Sequence, residues 1–300
     1  MNFLFGLKKT LKNIERVGLV ANPEKVKNAS VLKQAARTVA KAGRTLLADE
    51  ATTALGVDKA EILPDATSLA KVCDLLLVFG GDGTMLRVAR EAAKIGTPIM
   101  GFNMGGLGFL TAASAKNIAS SLNKLWEGEY TLDSLPMINA SVNDGGPNLE
   151  HQAVNDVVLS RGTIPRLIEV AVSVDGEPLT HYRCDGIIAS TPAGSTAYSL
   201  AAGGAVIAPN AEVFAITPIC PHTLSNRSVI VSIRSTITIQ IMDNRADTYL
   251  NTDGKFKSEL AIGDIITLKR SQQKARLIRL SGRYFFETLR HKLQWSGSHV

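Results

Sequence analysis

Apolar and polar positions change rhythm once along this chain, near residue 135. Upstream, short apolar runs alternate with stretches of helical period. Val17–Ala21, Thr45–Ala48, Asp74–Phe79 and Pro98–Phe102 read as strands. The run from Asp74 to Phe79 is almost continuously apolar, as expected of a strand covered on both faces. Between these strands the pattern predicts helices. Asn22-Pro23 reads as an N-cap with proline at the first helical position, opening a helix that stops at Gly43. Asp65–Lys71 reads as one or two helical turns. Further helices are predicted from about Gly83 to Ile95, stopped by Gly96, and from about Ser114 to Trp126. Strand–helix alternation of this kind makes a parallel sheet with helices on its faces.

Downstream, short β-type segments take over. Asn143-Asp144-Gly145-Gly146-Pro147 is a turn cluster, and Asp175-Gly176 between two strand-like runs is a hairpin signal. Val229–Ile233, Thr236–Ile241, Ile265–Leu268 and Ala275–Leu280 read as strands, with one helix near Ser195–Ala202 and another over Arg283–Leu293. The longest uncharged stretch, Gly186–Ala211, holds four glycines and two prolines and reads as a loop-rich segment, not a membrane span. The expected domains are 1–133, α/β, and 134–282, mainly β, with the tail from about 283 to 300 packing back on the first.

Composition narrows the class. With 300 residues, 45% hydrophobic and 20% charged, the chain has ordinary globular character; disorder, collagen and coiled coil are excluded. Aromatics at 5% argue against a stacking platform for single-stranded nucleic acid. The net charge of +6 is concentrated at the C-terminus, where Lys269, Arg270, Lys274, Arg276, Arg279, Arg283, Arg290 and Lys292 face Glu287 alone. A solvated basic face accounts for such a tail, and polyanion contact is the alternative. Cys73, Cys184 and Cys220 are odd in number and lack CxxC spacing, so neither a disulfide framework nor a zinc site is expected. Free thiols fit a reducing, cytoplasmic location. Met1–Asn13 lacks the features of a signal peptide.

Three stretches carry chemistry. Gly80-Gly81-Asp82-Gly83-Thr84 follows the buried strand and opens a helix, the edge where open α/β sheets bind ligands. Its glycines let the backbone bring N–H groups to an anion, and the helix N-terminus adds positive potential. A carboxylate in such a loop is unwelcome to phosphate, so Asp82 reads as a base for an attacking hydroxyl or as a ligand to a magnesium ion; N-capping is the bland alternative. The second stretch, Asn103-Met104-Gly105-Gly106-Leu107-Gly108-Phe109-Leu110, also follows an apolar strand, and the two loops are expected to flank one crevice. The third, Asp185 to Ser199, places five Ser or Thr hydroxyls within ten residues, with Gly and Pro to expose them. That suits ribose and amide partners better than a charged substrate. No GxxxxGK[ST], GxGxxG or GxSxG motif occurs.

GGDGT at 80–84, NxGxLGFL at 103–110, Asn155-Asp156 within AVNDVVL, DGxIxSTPxGSTAYSLxAGG at 185–204 and the PHTLSxR block at 221–227 occur in that order. Together they closely resemble the NAD kinase family, over about residues 16 to 295. GGDGT alone is shared with lipid kinases and distant phosphofructokinase relatives; the third block with PHTLS is far more specific. The resemblance implies a Rossmann-like α/β domain plus a mainly β domain, with the site in the cleft between them. It implies transfer of a phosphoryl group from ATP, or in some members polyphosphate, to the 2′-hydroxyl of the adenosine ribose of NAD, giving NADP.

The same resemblance assigns residues. Asp82 would accept the hydroxyl proton. Gly80, Gly81, Gly83 and Thr84 would form the phosphate-donor loop. Asp82, Gly83, Arg87, Asn155, Asp156, Arg166, Arg183, Asp185, Ala193, Thr196, Ala197, Tyr198 and Ser199 match positions at or near NAD. Asn103 and Lys255 are further candidates; Lys255 stands where the family often has Gln. No dedicated metal site is implied, because Mg2+ or another divalent ion travels with ATP. A homo-oligomer, dimer or tetramer, is implied, with small-molecule partners and neither membrane nor nucleic acid. Cys184, between Arg183 and Asp185, reads as packing, with a redox role as the alternative. Two competing readings remain. A lipid kinase would need a greasy acceptor pocket. A nucleotide-sensing or nucleic-acid-binding module would leave Asp82 without a role.

Overall fold

The computed structural model describes residues 13–26, 29–106, 108–143, 149–163, 166–223, 226–243, 247–281 and 285–295. They fall into two compact units, one within Met1–Ser134 and Ala275–Val300, the other within Leu135–Lys274.

The first unit is a doubly wound α/β layer. Its elements are β1 (Arg16–Ala21), α1 (Ser30–Lys41), β2 (Thr45–Asp49), α2 (Glu50–Thr53), β3 (Glu61–Leu63), α3 (Ala66–Val72), β4 (Leu75–Gly80), α4 (Asp82–Ala93), β5 (Ile99–Asn103), β6 (Ala113–Ser114) and α5 (Ile118–Trp126). The parallel order is β3-β2-β1-β4-β5, with β6 beside β5. Val17, Leu19, Leu75, Leu77 and Phe79 point to one face and pack with Leu32, Ala35 and Val39 of α1 and Leu122 and Leu125 of α5. On the opposite face a Cβ at Gly18 would meet Leu76 at 2.6 Å and Cys73 at 3.1 Å, so only glycine lets α3 settle this close. The continuous apolar run of β4 is thereby covered on both sides, as its pattern predicts.

β7 (Tyr130–Asn143) carries the chain into the second unit, an antiparallel β sandwich. It continues with β8 (Leu149–Ala153), β9 (Asp156–Arg161), β10 (Ile168–Val174), β11 (Glu177–Cys184), β12 (Gly186–Ser190), α6 (Tyr198–Ala201) and β13 (Val213–Ile219). β14 (Val229–Ser232), β15 (Ile237–Asp243), β16 (Thr248–Thr252), β17 (Lys255–Leu260) and β18 (Ile265–Leu280) follow. One sheet runs β14-β13-β12-β9-β16-β17. Against it lie β11-β10-β15 with the start of β18, and the β7–β8 hairpin. Inward residues of both sheets, among them Val170, Leu159, Ile187, Phe214, Ile239 and Leu250, form the core. The last part of β18 returns to the first unit, where Leu277 pairs in parallel with Ile99, and α7 (Phe285–Leu293) follows.

Several expectations are corrected. Asn22-Pro23 does not open a helix. The Asn22 side chain accepts the Glu24 N–H at 2.9 Å and its carbonyl accepts Lys25 and Val26. Asn22 thus closes a single local turn, and α1 begins only at Ser30. Ser114 accepts the Lys116 N–H at 3.3 Å and caps a 3₁₀ turn, so α5 starts at Ile118. The two strands expected at 265–268 and 275–280 are one, β18; its polar middle remains extended within the ladder. The segment read as loop-rich begins as β12, a strand buried along its whole length. The helix near Ser195–Ala202 is a 3₁₀ turn, Ala193–Thr196, followed by the short α6. The Asp175-Gly176 hairpin forms with both residues at positive φ (53° and 85°), as a type I′ turn requires. Most of the 143–147 turn cluster, Arg283 and the first twelve residues lie outside the described set.

Candidate active site

The glycine-rich loops of the first unit follow adjacent parallel strands, with Phe79 beside Phe102 and Gly80 beside Asn103. β4 ends at Gly80, Gly81 takes the N-cap position, and Asp82 is the first residue of α4. Asp82 does not serve as the cap. Its Oδ2 accepts the Phe109 N–H at 3.1 Å and its Oδ1 the Leu110 N–H at 3.3 Å. The carboxylate therefore ties the first loop to the second.

The second loop is braced from within. The buried Asn103 accepts the Gly105 N–H at 2.8 Å and donates to the Gly106 carbonyl. Asn103 thus shapes the loop from its base. A Cβ at Gly108 would overlap the Asp82 carboxylate, and one at Gly80 would meet Thr84 at 2.5 Å. A Cβ at Gly81 or Gly83 would find open space, which leaves room for an anion at the start of α4. Thr84 is buried and hydrogen-bonds to Asn22 at 3.2 Å. Arg87 pairs with Glu91 one turn on, at 3.3 Å. Leu107 lies outside the described residues.

The second unit gathers a different set. Asp253, in a positive-φ turn with Gly254, accepts three successive backbone N–H groups: Val154 at 3.0 Å, Asn155 at 2.7 Å and Asp156 at 3.3 Å. This holds the Asn155–Asp156 pair at the entrance to β9. Among the described residues, the Asn155 side-chain oxygen is buried without a hydrogen-bond partner, as are the hydroxyls of Ser190 and Thr252. Asp156 is 4% exposed; burial, then the charge of Asp253, pushes its carboxyl up to about 7. Gly194 lies so near the Asn155 backbone that a Cβ would overlap it.

The hydroxyl-rich stretch is corrected in one respect. Ser190, Thr191, Ser195 and Ser199 are buried, not presented to solvent. Thr191 donates to the Val154 carbonyl and Ser195 to Pro192, both at 2.7 Å, and Ser199 bonds Thr217 at 3.1 Å. The hydrogen bonds of Thr191, Ser195 and Ser199 shape the turn around Ala193 and Ala197. Thr196 is partly exposed and bonds the Ala193 carbonyl at 3.2 Å; Tyr198 is 47% exposed.

Asp185 pairs with Arg161 at 2.6 Å and Arg183 with Glu169 at 2.8 Å. A cavity of about 370 Å³ is lined by Arg166, Leu167, Glu169, Arg183 and Asp243. Lys255 is exposed where β17 begins. Cys184 is wholly buried, and burial pushes its thiol up to about 12, which makes it a packing residue rather than a thiolate. Of the 221–227 block, Leu224 and Ser225 lie outside the described residues; the His222 N–H donates to the Arg183 carbonyl at 2.8 Å.

Asp253, which no motif above includes, is the residue that positions Asn155 and Asp156. The available signal was its Asp-Gly turn between two strand-like runs.

Comparison with known proteins matches both halves. The ATP-NAD kinase N-terminal domain model covers residues 17–130 and the ATP-NAD kinase C-terminal domain model covers 154–280. The chain belongs to the ATP-NAD kinase family. An NAD kinase of Thermoanaerobacter sp. (strain X514) is 38% identical over 93% of this chain and 99% of its own. An NAD kinase of Geotalea daltonii is 41% identical over 74% of this chain and 78% of its own. Among solved structures, an NAD kinase from Archaeoglobus fulgidus in complex with ATP is 25% identical, with TM-score 0.72 over 94% of this chain and all of its own. A yeast NADH kinase complexed with NADH shares the fold at TM-score 0.86 and 23% identity, over 96% of this chain and 90% of its own. The family fold thus combines the α/β unit and the mainly β unit described above. No described helix is long and apolar enough to cross a membrane.

Proposed function

We infer that this chain is an NAD kinase in which Asp82 accepts the proton of the attacking hydroxyl. The ribose 2′-oxygen of NAD attacks the terminal phosphorus of ATP. The new O–P bond forms as the bond to the bridging oxygen breaks, ADP leaves with that electron pair, and the hydroxyl proton passes to Asp82. The observation that carries this reading is the Asp82 carboxylate at the junction of two glycine-rich loops, above the start of α4. Phosphoryl transfer asks for positioning and charge stabilisation more than covalent chemistry. The open backbone at Gly81 and Gly83 suits the donor's phosphates, with Gly80 and Thr84 packing beneath.

For NAD, the unpartnered Asn155 oxygen and the buried Asp156 carboxyl offer polar groups to a hydroxyl or amide. Ala193, Thr196, Ala197, Tyr198 and Ser199 form a turn with an exposed ring at Tyr198. Asp185, Arg166, Arg183 and Arg87 are supporting contacts in this reading, and Lys255 replaces an amide contact with a cationic one.

No group of three or more metal-ligating side chains stands among the described residues. In this reading a divalent ion travels on the donor's phosphates, where it neutralises charge. The three free cysteines fit a cytoplasmic enzyme. A homo-oligomer completes the proposal, and sedimentation measures it.

The test is direct. Purified protein with ATP, magnesium and NAD is expected to form NADP, read by an NADP-specific dehydrogenase. Asp82→Asn is expected to lower turnover by about two to four decades while retaining NAD binding. Near-normal turnover in that variant would remove Asp82 from the mechanism.

A further inference from the structure

The basic C-terminal segment takes no part in the chemistry described so far, yet three of its side chains converge on one residue of the second glycine-rich loop. Arg279, near the end of β18, donates to the Phe109 carbonyl oxygen at 3.2 Å and pairs with Asp133. Phe285, the first residue of α7, sets its ring 6.0 Å from that of Phe109. Lys292 lies two turns further along the same face. Its Nζ is 5.0 Å from the centre of the Phe109 ring and 3.9 Å from Asp82 Oδ2, the oxygen that accepts the Phe109 N–H.

The distances decide what this cation is free to do. At 3.9 Å the ammonium is attracted by charge but is beyond hydrogen-bond length. None of its three N–H donors is used on Asp82. Its side chain is one-third exposed. Arg87, a basic residue on the helix that Asp82 opens, is occupied by Glu91. Among the described residues, Lys292 is thus a cation steered by an aromatic face and a carboxylate without hydrogen-bonding to that carboxylate.

We propose that Lys292 binds the phosphoryl donor, contacting the terminal phosphate of a nucleoside triphosphate. The proposal rests on the reading of Asp82 as proton acceptor. A base must lie within hydrogen-bond reach of the attacking hydroxyl, and that oxygen approaches phosphorus to about 3–3.5 Å. A group 3.9 Å from Asp82 therefore reaches the equatorial oxygens over which transition-state charge spreads.

Steady-state kinetics of wild type, Lys292→Met and Lys292→Arg test this, with ATP and NAD varied separately and Asp82→Asn run in parallel. Lys292→Met keeps the stem and removes the charge. It is expected to reduce kcat/KM for ATP about a hundredfold, with KM for NAD within about twofold and the melting temperature nearly unchanged; Lys292→Arg is expected to recover at least tenfold. Wild-type kinetics in Lys292→Met overturn the proposal, as does a loss that Arg does not recover. Impaired Asp82→Asn beside an unimpaired Lys292→Met sinks the Lys292 proposal alone. Normal turnover in Asp82→Asn sinks the proton-acceptor reading and this proposal with it.

Discussion

Asp253 Oδ1 accepts the backbone N–H of Asn155 at 2.7 Å, across 98 residues of sequence. With the Val154 and Asp156 N–H groups on the same carboxylate, one side chain sets the path of the chain into β9. Asp253→Ala would leave buried donors unsatisfied, each at a cost of about 1–3 kcal/mol. The expected result is a drop of several degrees in melting temperature and an increase of about tenfold or more in KM for NAD. Differential scanning fluorimetry and steady-state kinetics check both. Unchanged values would mean that Asn155 is held from elsewhere.

The buried Asp156 makes stability depend on pH. Its carboxyl is raised from 3.8 to about 7 in the folded chain, mainly by burial and then by Asp253. A raised folded value means that the folded state holds a proton the unfolded state has released. The contribution is full below about pH 4, declines as pH rises to about 7, and is then lost. Its size is at most about 4 kcal/mol. Asp156→Asn removes this dependence, so the variant is expected to gain several degrees on the wild type between pH 5 and pH 8. Parallel melting curves at the two pH values would show no such gain if Asp156 ionises normally.

Gly108 faces the Asp82 carboxylate so closely that a methyl group cannot be added without displacing it. Gly108→Ala is expected to lower kcat by about a hundredfold, the cost of a displacement near 1 Å at reacting groups. Since the clash is with a side chain end, the melting temperature should change little. Turnover near wild type would show that Asp82 relocates freely.

The cysteines differ in accessibility. Cys73 and Cys184 are buried with thiols pushed up to about 12, whereas Cys220 is exposed. At pH 8 a thiol reagent is expected to titrate one thiol per native chain and three after denaturation. Rapid native labelling of Cys184 would revive a redox role for it.

Much of the architecture was legible because local pattern and final burial agree. The run Leu75–Phe79 is apolar throughout and becomes a strand covered on both faces. Asp65–Lys71, read as one or two helical turns, is α3, with Asp65 as its cap accepting the Ser68 N–H at 2.7 Å. Reading failed where a side chain had a competing partner. Asn22 looked like a helix cap but closes its own turn. The hydroxyls of Ser190 to Ser199 looked like a ligand surface, yet four of them are buried in the turn. In those cases residue type is compatible with two uses, and only the surrounding atoms select one.

By itself, the sequence determined the rhythm of the strands and helices, the order of the motifs and, through them, the family resemblance. These follow from local sterics and from which faces must avoid water, both of which act over a few residues. Tertiary structure alone decided which atoms the carboxylates touch. Asp82 meets Phe109 over 27 residues, Asp253 meets Asn155 over 98, and Lys292 returns from the far end of the chain to Asp82. Such contacts depend on how strands register and where the chain re-enters a unit, and no local pattern encodes that distance.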